Sequence, residues 1–338
     1  MENEKYFIGI DGGGTYTKAI ALTKDGTVAC HVSGDTINFN SVSFEEAREN
    51  LMQILDRVTD TVPYEDIDSI FIGCSALDRE APPELTRKIL GRYGDIHATM
   101  DSDLYIALCG YSADSAGILV ISGTGSMGIA KDASGRLYTC GGWGYGIGDE
   151  GSAYDIAVKG INAAVRYHDG LGKKTCLCEA LLEHYHLQDP KELIPAVYQP
   201  ELNRKKIASF AVEVTACAEA GDDAAVGILE KAATDLADIA DSLIQQSHIR
   251  TGVGIYGGVF ENSAMVRERF ITILRERYPG LPVSFPRLLP EIGAAVAAMK
   301  EMNIRLTDAA IKRLSVYSNC GGKNGQLLSE IKKNTRVG

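Results

Sequence analysis

Short apolar runs cut by glycine turns open the chain, at a spacing that predicts strands rather than helices. Tyr6-Phe-Ile-Gly-Ile10 enters Asp11-Gly12-Gly13-Gly14-Thr15; a second run at 18–23, a Lys24-Asp25-Gly26 turn and a third run at 28–32 follow. The same order recurs further on. Ile118-Leu119-Val120-Ile121 enters Ser122-Gly123-Thr124-Gly125-Ser126, and strands at 127–130 and 137–140 flank an Asp132-Ala133-Ser134-Gly135 turn. Superposing Asp11 on Ser122 aligns Gly12 with Gly123, Gly14 with Gly125 and Thr15 with Ser126, which a diverged duplication explains.

Elsewhere the period lengthens. Ser43 and Glu46 form a capping box for a helix that turns Phe44, Ala47, Leu51, Ile54, Leu55 and Val58 to one face. A strand at 70–72, a helix at 84–92 behind Pro82 and Pro83, and a strand at 97–100 come next. That last strand carries Asp101-Ser102-Asp103 to its C-terminal end, the edge where open α/β sheets bind ligands, and a helix occupies 104–109. Beyond Ser152 the pattern predicts helices at 153–168, 176–186, 190–199, 204–220 and 223–248, the last capped by Asp222. A strand at 255–256 runs into Gly257-Gly258-Val259; Asn262 is expected to cap a helix ending at Arg277. A strand at 283–285 and an Ala-rich helix at 291–302 complete the pattern.

These elements divide into domains at 1–115, completed by a returning helix at 291–303, and at 116–290. Residues 305–338 carry seven Lys/Arg against two Asp/Glu and read as a basic helical appendage or dimer contact, set off from 304 onward.

Composition narrows the function classes. With 338 residues the chain can bury two cores, and 23% charged with 45% hydrophobic residues is ordinary for a globular protein. A net charge of -11 disfavours nucleic acid or an anionic membrane as partner. No apolar run is long enough to span a bilayer and MENEKYF does not read as a signal peptide, so a cytoplasmic protein with eight reduced cysteines is expected.

The glycine turns are the candidate chemistry. Glycine lets several backbone N–H groups converge on one anion. Gly123-Thr-Gly-Ser-Met-Gly128 spells the dinucleotide fingerprint, but a β-turn follows it where that motif needs a helix, and no P-loop sequence occurs. Two glycine hairpins facing each other across a cleft would hold a polyphosphate between them, with Ser and Thr hydroxyls as further donors. Asp11, a carboxylate where the second copy has a hydroxyl, marks the place for Mg²⁺.

Phosphoryl transfer to a hydroxyl also needs a carboxylate base. Asp103 on its strand-end loop is the candidate, and Asp101 is the alternative. Gly142-Trp143-Gly144 and Gly148-Asp149-Glu150-Gly151 read as walls of a sugar pocket in which Asp149 accepts from vicinal hydroxyls. Asn38 offers a donor and an acceptor together. Cys176, Cys178, His184 and His186 have no zinc-site spacing on one helix, because positions i and i+2 diverge. A two-metal nuclease built on Asp11, Asp101 and Asp103 is disfavoured by the acidic surface.

On these residues the chain resembles the N-acetylglucosamine kinases within the BadF/BadG/BcrA/BcrD ATPase family, members of the actin-like ATPase superfamily. Asp11-Gly-Gly-Gly-Thr15 resembles its first phosphate motif, 122–126 its second, and Gly257-Gly258-Val259 its adenosine motif. Pro290-Glu-Ile-Gly293-Ala-Ala is similar to its connecting helix, and CGGWGYGIGDEGSAY is the most specific piece of the match. The resemblance implies an α/β fold of two ribonuclease H-like (actin-like ATPase) domains facing a central cleft, the second with added helices. It implies that Gly12, Gly13, Gly14, Thr15, Gly123, Thr124 and Gly125 meet ATP phosphates, with Ala218, Gly257 and Gly258 near the nucleotide. Asn38, Asp103, Gly142, Trp143, Gly144 and Asp149 would contact the amino sugar, and Ala107-Leu108 favours Asp103 as base. The expected protein is a homodimeric kinase using ATP and Mg²⁺ on N-acetylglucosamine at O6. The alternative implied by the same family is an ATPase that activates a reductase or dehydratase through a subunit-bridging iron–sulfur cluster.

Overall fold

The computed structural model describes residues 4–113, 115–194 and 204–319. The chain forms two compact units, one of residues 1–115 with 286–338 and one of residues 116–285.

In the first unit β1 (Tyr6–Gly12), β2 (Tyr16–Thr23), β3 (Val28–Asp35), β4 (Ile67–Cys74) and β5 (Ala98–Asp101) form one sheet in the order β3-β2-β1-β4-β5. β1 pairs antiparallel with β2 and parallel with β4. Two-residue alternation along β1 explains both faces. Ile8 and Ile10 pack with Leu51, Ile54 and Leu55 of α1 (Phe44–Thr59), while Phe7 packs with Ala294 and Ala298 of α11 (Pro290–Glu301). Ser43 caps α1 as its capping box requires, accepting from the Glu46 N–H. α2 (Pro83–Leu90) stands between β4 and β5, and α3 (Asp103–Ser112) follows β5.

α11 lies backbone-close to both of its neighbours because glycine lines the seam. A β-carbon on Gly9 would fall 2.0 Å from Glu291 O, and one on Gly293 would fall 2.1 Å from Ile106 O of α3. This contact sets α11 directly on β1, two residues before Asp11.

The segment expected to be an appendage is not one over its first part. α12 (Asp308–Asn319) buries Leu314 against Ile20, Leu22 and Ile292, so it belongs to the first unit's core. The remainder of that segment, 320–338, lies outside the described residues.

The second unit repeats the strand plan. β6 (Gly117–Ser122), β7 (Ser126–Lys131), β8 (Leu137–Gly141), β9 (Val253–Tyr256) and β10 (Val283–Ser284) take the order β10-β9-β6-β7-β8, which is the first sheet's order read from the other edge. Each unit begins with an antiparallel meander, and its first strand then pairs parallel with its fourth. The turns differ in length, however. Four residues separate the paired Gly12 and Thr17, whereas three separate Ser122 and Ser126. The duplication therefore lies in strand order, not in the letter-for-letter match of the turns.

Helices added between β8 and β9 enlarge this unit: α4 (Ala153–His168), α5 (Leu177–Tyr185), α6 (Arg204–Ala208), α7 (Ala211–Glu219) and α8 (Asp223–Ser247). The single helix expected at 204–220 is broken at Ser209-Phe210 into α6 and α7, because Phe210 is fully buried in the core where the chain turns. The helix expected at 190–199 opens with a 3₁₀ turn, Pro190–Glu192, and passes into α-helix at Leu193 and Ile194; the rest of that span lies outside the described residues. Asp222 caps α8 as expected. After α9 (Gly258–Asn262), α10 (Ala264–Arg277) is capped by Ser263, not by Asn262. Asn262 instead donates its amide to Gly258 O at 2.8 Å.

Candidate active site

The first unit gathers carboxylates at the C-terminal edge of its sheet. Asp11 sits near the end of β1, Asp101 ends β5, and Asp103 is the first residue of α3. Ser102 is the helix cap, its hydroxyl accepting from Tyr105 N–H, so Asp103 is not committed to capping. Burial raises the Asp103 carboxyl above the ordinary aspartate range, against the opposing pull of the first-turn amides. Asp101 is raised by burial as well, but its Oδ1 accepts the Ser102 N–H.

Asp11 is pushed up to about 7, first by burial, then by Glu291 and Asp103, with Lys18 pulling the other way. Glu291 is fully buried at the start of α11, 3.1 Å from His31 Nε2, and His31 Nδ1 meets the Tyr317 hydroxyl at 3.0 Å. Like charges held this close to Asp11 favour a cation beside it. Among the described residues no three His, Cys, Asp or Glu side chains converge as a metal cage. The donors present thus suit an ion held by one carboxylate, nucleotide phosphate and water, which is how Mg²⁺ is commonly bound.

Asn38 is buried and largely committed. Its Nδ2 donates to Ser75 Oγ at 2.8 Å and its Oδ1 accepts from Asn40 N–H at 2.8 Å. Each end of the amide retains half its capacity, one N–H and one lone pair, for a ligand. Ser75 in turn donates to Gly12 O, and the Thr36 hydroxyl donates to Gly13 O at 2.7 Å, so the loop after β3 is bound to the first glycine turn. The sequence gives no sign of Ser75's part. Gly14 and Thr15 are exposed on that turn.

In the second unit Gly123, Thr124 and Gly125 form the β6–β7 turn, with Gly123 N–H donating to Gly125 O at 2.9 Å. The flanking hydroxyls were expected to face phosphate and do not. Ser122 Oγ donates to Gly151 O at 2.8 Å and Ser126 Oγ to Glu150 O at 2.7 Å. They tie down the 149–151 segment, because buried carbonyls there need donors. Thr124 remains as the exposed hydroxyl at the tip.

A cavity of about 560 Å³ opens beside Gly123 and Thr124, lined further by Ala216, Glu219, Gly258 and Val259. Gly258 is thus part of the cavity wall. Gly257 precedes α9 at φ 102°, where a β-carbon would fall 2.5 Å from Ser122 O, and Ala218 is buried in the core. Ala218 does not line the cavity.

The Gly142-Trp143-Gly144 segment follows β8, with φ of 74° at Gly142 and 87° at Gly144. Trp143 is 75% exposed, and Tyr145 and Ile147 are exposed beside it. Asp149 closes this loop in the left-handed region at φ 63°, its side chain only 5% exposed. Arg204, at the start of α6, donates to Asp149 Oδ2 and stacks on Tyr145, its guanidinium carbon 5.3 Å from the ring centroid. Nothing in the spacing of the sequence marks Arg204 as a partner.

A model of the BadF/BadG/BcrA/BcrD ATPase family matches residues 8–300. The chain belongs to that family. Over 307 residues it is 32% identical to the N-acetylmuramic acid/N-acetylglucosamine kinase of Clostridium acetobutylicum, covering 88% of this chain and 99% of that protein. It is 28% identical over 316 residues to the N-acetyl-D-glucosamine kinase of Dictyostelium discoideum, at 88% and 98% coverage. In fold, a solved structure from Chromobacterium violaceum, provisionally named an N-acetylglucosamine kinase, gives a TM-score of 0.70 at 23% identity, over 87% of this chain and 99% of that one. These likenesses agree with the two actin-like ATPase domains. No helix among the described residues is long and apolar enough to cross a membrane.

Proposed function

We propose that the protein is an ATP-dependent amino-sugar kinase that transfers the γ-phosphate to a sugar hydroxyl, O6 of N-acetylglucosamine. The cavity beside the Gly123-Thr124-Gly125 turn carries this reading, because it joins a phosphate-binding turn to a space of nucleoside size within one unit. The names of the two curated relatives support the substrate class.

Each unit supplies its own share. In the second, Thr124 and the glycine amides meet phosphate, the cavity takes the adenosine, and Gly142, Trp143, Gly144 and Asp149 are assigned to the sugar. In the first, Gly12, Gly13, Gly14 and Thr15 offer backbone and hydroxyl donors to phosphate, Asn38 holds a sugar polar group, and Asp103 is the base. Ionised Asp103 accepts the proton of the attacking hydroxyl and aligns it, with its own carboxylate oriented by its place in the first turn of α3. Mg²⁺ at Asp11, when bound, neutralises charge on the transferred phosphate. A cytoplasmic homodimer completes the reading, and size-exclusion chromatography with light scattering tests the dimer.

The deciding experiment is coupled ADP release with N-acetylglucosamine, N-acetylmuramate, glucosamine and glucose. Saturable turnover with an N-acetylated sugar, demanding ATP and Mg²⁺, is expected. ADP release that no sugar stimulates removes the kinase reading.

A further inference from the structure

Arg204 reaches Asp149 across 55 positions of sequence, and its guanidinium meets both the loop that Asp149 closes and the turn at Gly125. Nη2 donates to Asp149 Oδ2, and the plane lies over Tyr145. The group is also pressed onto the phosphate turn. A β-carbon on Gly125 would fall 2.5 Å from Arg204 Nη2 and 2.9 Å from Asp149 Oδ2, so only glycine there admits the pair. Another nitrogen stands apart: Nε is buried and has no hydrogen-bond partner among the described residues.

A buried N–H without an acceptor is costly, and folded proteins rarely keep one unless something else completes it. Arginine suits such a place, since its rigid fork can hold a carboxylate with one N–H and direct another elsewhere. Asp149 also needs a cause, because a non-glycine residue in the left-handed region persists only where its surroundings hold it. The ion pair supplies that cause.

On the kinase reading above, on which this inference rests, we propose that Arg204 is a binding and positioning residue of the transfer site. Its Nη2 fixes the Asp149 carboxylate for the sugar, and its Nε–H is completed by an oxygen of the transferred phosphate. The guanidinium thereby links sugar orientation to phosphate charge in one planar group, and phosphoryl transfer depends on both.

The test is steady-state ADP release by Arg204→Ala and Arg204→Lys, with N-acetylglucosamine and ATP varied separately and folding checked by thermal melting. Arg204→Ala should raise the sugar KM about tenfold and lower kcat about tenfold, as expected for loss of charge-assisted hydrogen bonds. Lysine can pair with Asp149 but offers no second donor in a fixed plane. Arg204→Lys should therefore return the sugar KM to within about threefold of wild type while kcat stays low. Where Arg204→Ala fails to fold, the lysine variant decides alone. A folded Arg204→Ala with both constants within twofold of wild type overturns the proposal. A lysine variant that recovers both constants, or neither, overturns the divided role of the fork. An inactive wild type removes the kinase reading and Arg204's role with it, whereas an active wild type with indifferent variants removes only the latter.

Discussion

Asp101 and Ser102 are bound to each other: Asp101 Oδ1 accepts the Ser102 N–H at 2.5 Å, and Ser102 in turn caps α3. The carboxylate at the strand end is thus engaged in shaping the turn that presents Asp103. Asp103→Asn should lower kcat by about 10²–10⁴-fold, the usual contribution of a general base, with sugar and ATP affinity within several-fold of wild type. Asp101→Asn keeps an acceptor for the same amide and should retain most of its activity. A reversed ranking in the ADP-release assay would transfer the role of base to Asp101. The acid limb follows from the same assignment. Burial raises Asp103, which works only when ionised, so kcat/KM should fall with decreasing pH at a midpoint above the ordinary 3.8.

Asp11 trades stability for function. Its carboxyl is raised from 3.8 to about 7 in the fold. Below the lower value both folded and unfolded chains are protonated and burial exacts no penalty. As pH rises through the interval the unfolded chain ionises first, so folding loses stability until about pH 7. Asp11→Asn cannot titrate. In chelator its melting temperature should exceed that of wild type by a margin that grows from pH 4.5 to pH 8, while turnover with Mg-ATP is lost. A margin independent of pH would show that Asp11 is not an ionising, crowded carboxylate.

What the sequence makes legible is local. Strands β1–β3 and β6–β8 follow from alternation and turn residues, and Asp103 follows from a strand that ends at a ligand-binding edge. Roles decided by distant partners are not legible in this way. Ser122 and Ser126 have the composition of a phosphate turn, yet their hydroxyls answer carbonyls at 150 and 151, some two dozen residues onward. Asn262 and Ser263 are both good caps, and only the path of α9 into α10 selects the serine. Arg204 falls in a stretch read only as part of a helix, because its partners Asp149 and Tyr145 lie far away in the chain. Likewise Leu314 enters the first core from a segment whose charge suggested an appendage.

The glycine seam around α11 is a structural requirement that no ligand can relieve. A β-carbon on Gly293 would meet Ile106 O at 2.1 Å and Gly110 N at 2.6 Å, and both are backbone atoms that cannot rotate away. Gly293→Ala should therefore destabilise the first unit beyond the usual 0.5–3 kcal/mol of a point mutation, roughly 4 kcal/mol or more. Denaturant unfolding should show a lowered midpoint, and the Asp11 and Asp103 loops should become protease-sensitive. An unchanged midpoint would mean that α11 can slide away from α3 without penalty.

Trp143 is the only tryptophan of the chain and stands 75% exposed between Gly142 and Gly144. Its indole is a reporter placed in the segment assigned to the sugar. With no core neighbours to screen it, emission starts from a largely hydrated ring, so covering it should shift the spectrum to shorter wavelength or change its intensity. The change should saturate with the sugars that are phosphorylated and be absent with those that are rejected. Asn38→Ala is the control. Asn38 holds one N–H and one lone pair for a ligand, so its loss should weaken the sugar's apparent affinity in the same titration. If an accepted sugar saturates turnover while Trp143 emission stays flat, the indole is not a wall of the sugar pocket. Its exposure, with that of Tyr145 and Ile147, would then call for a different partner.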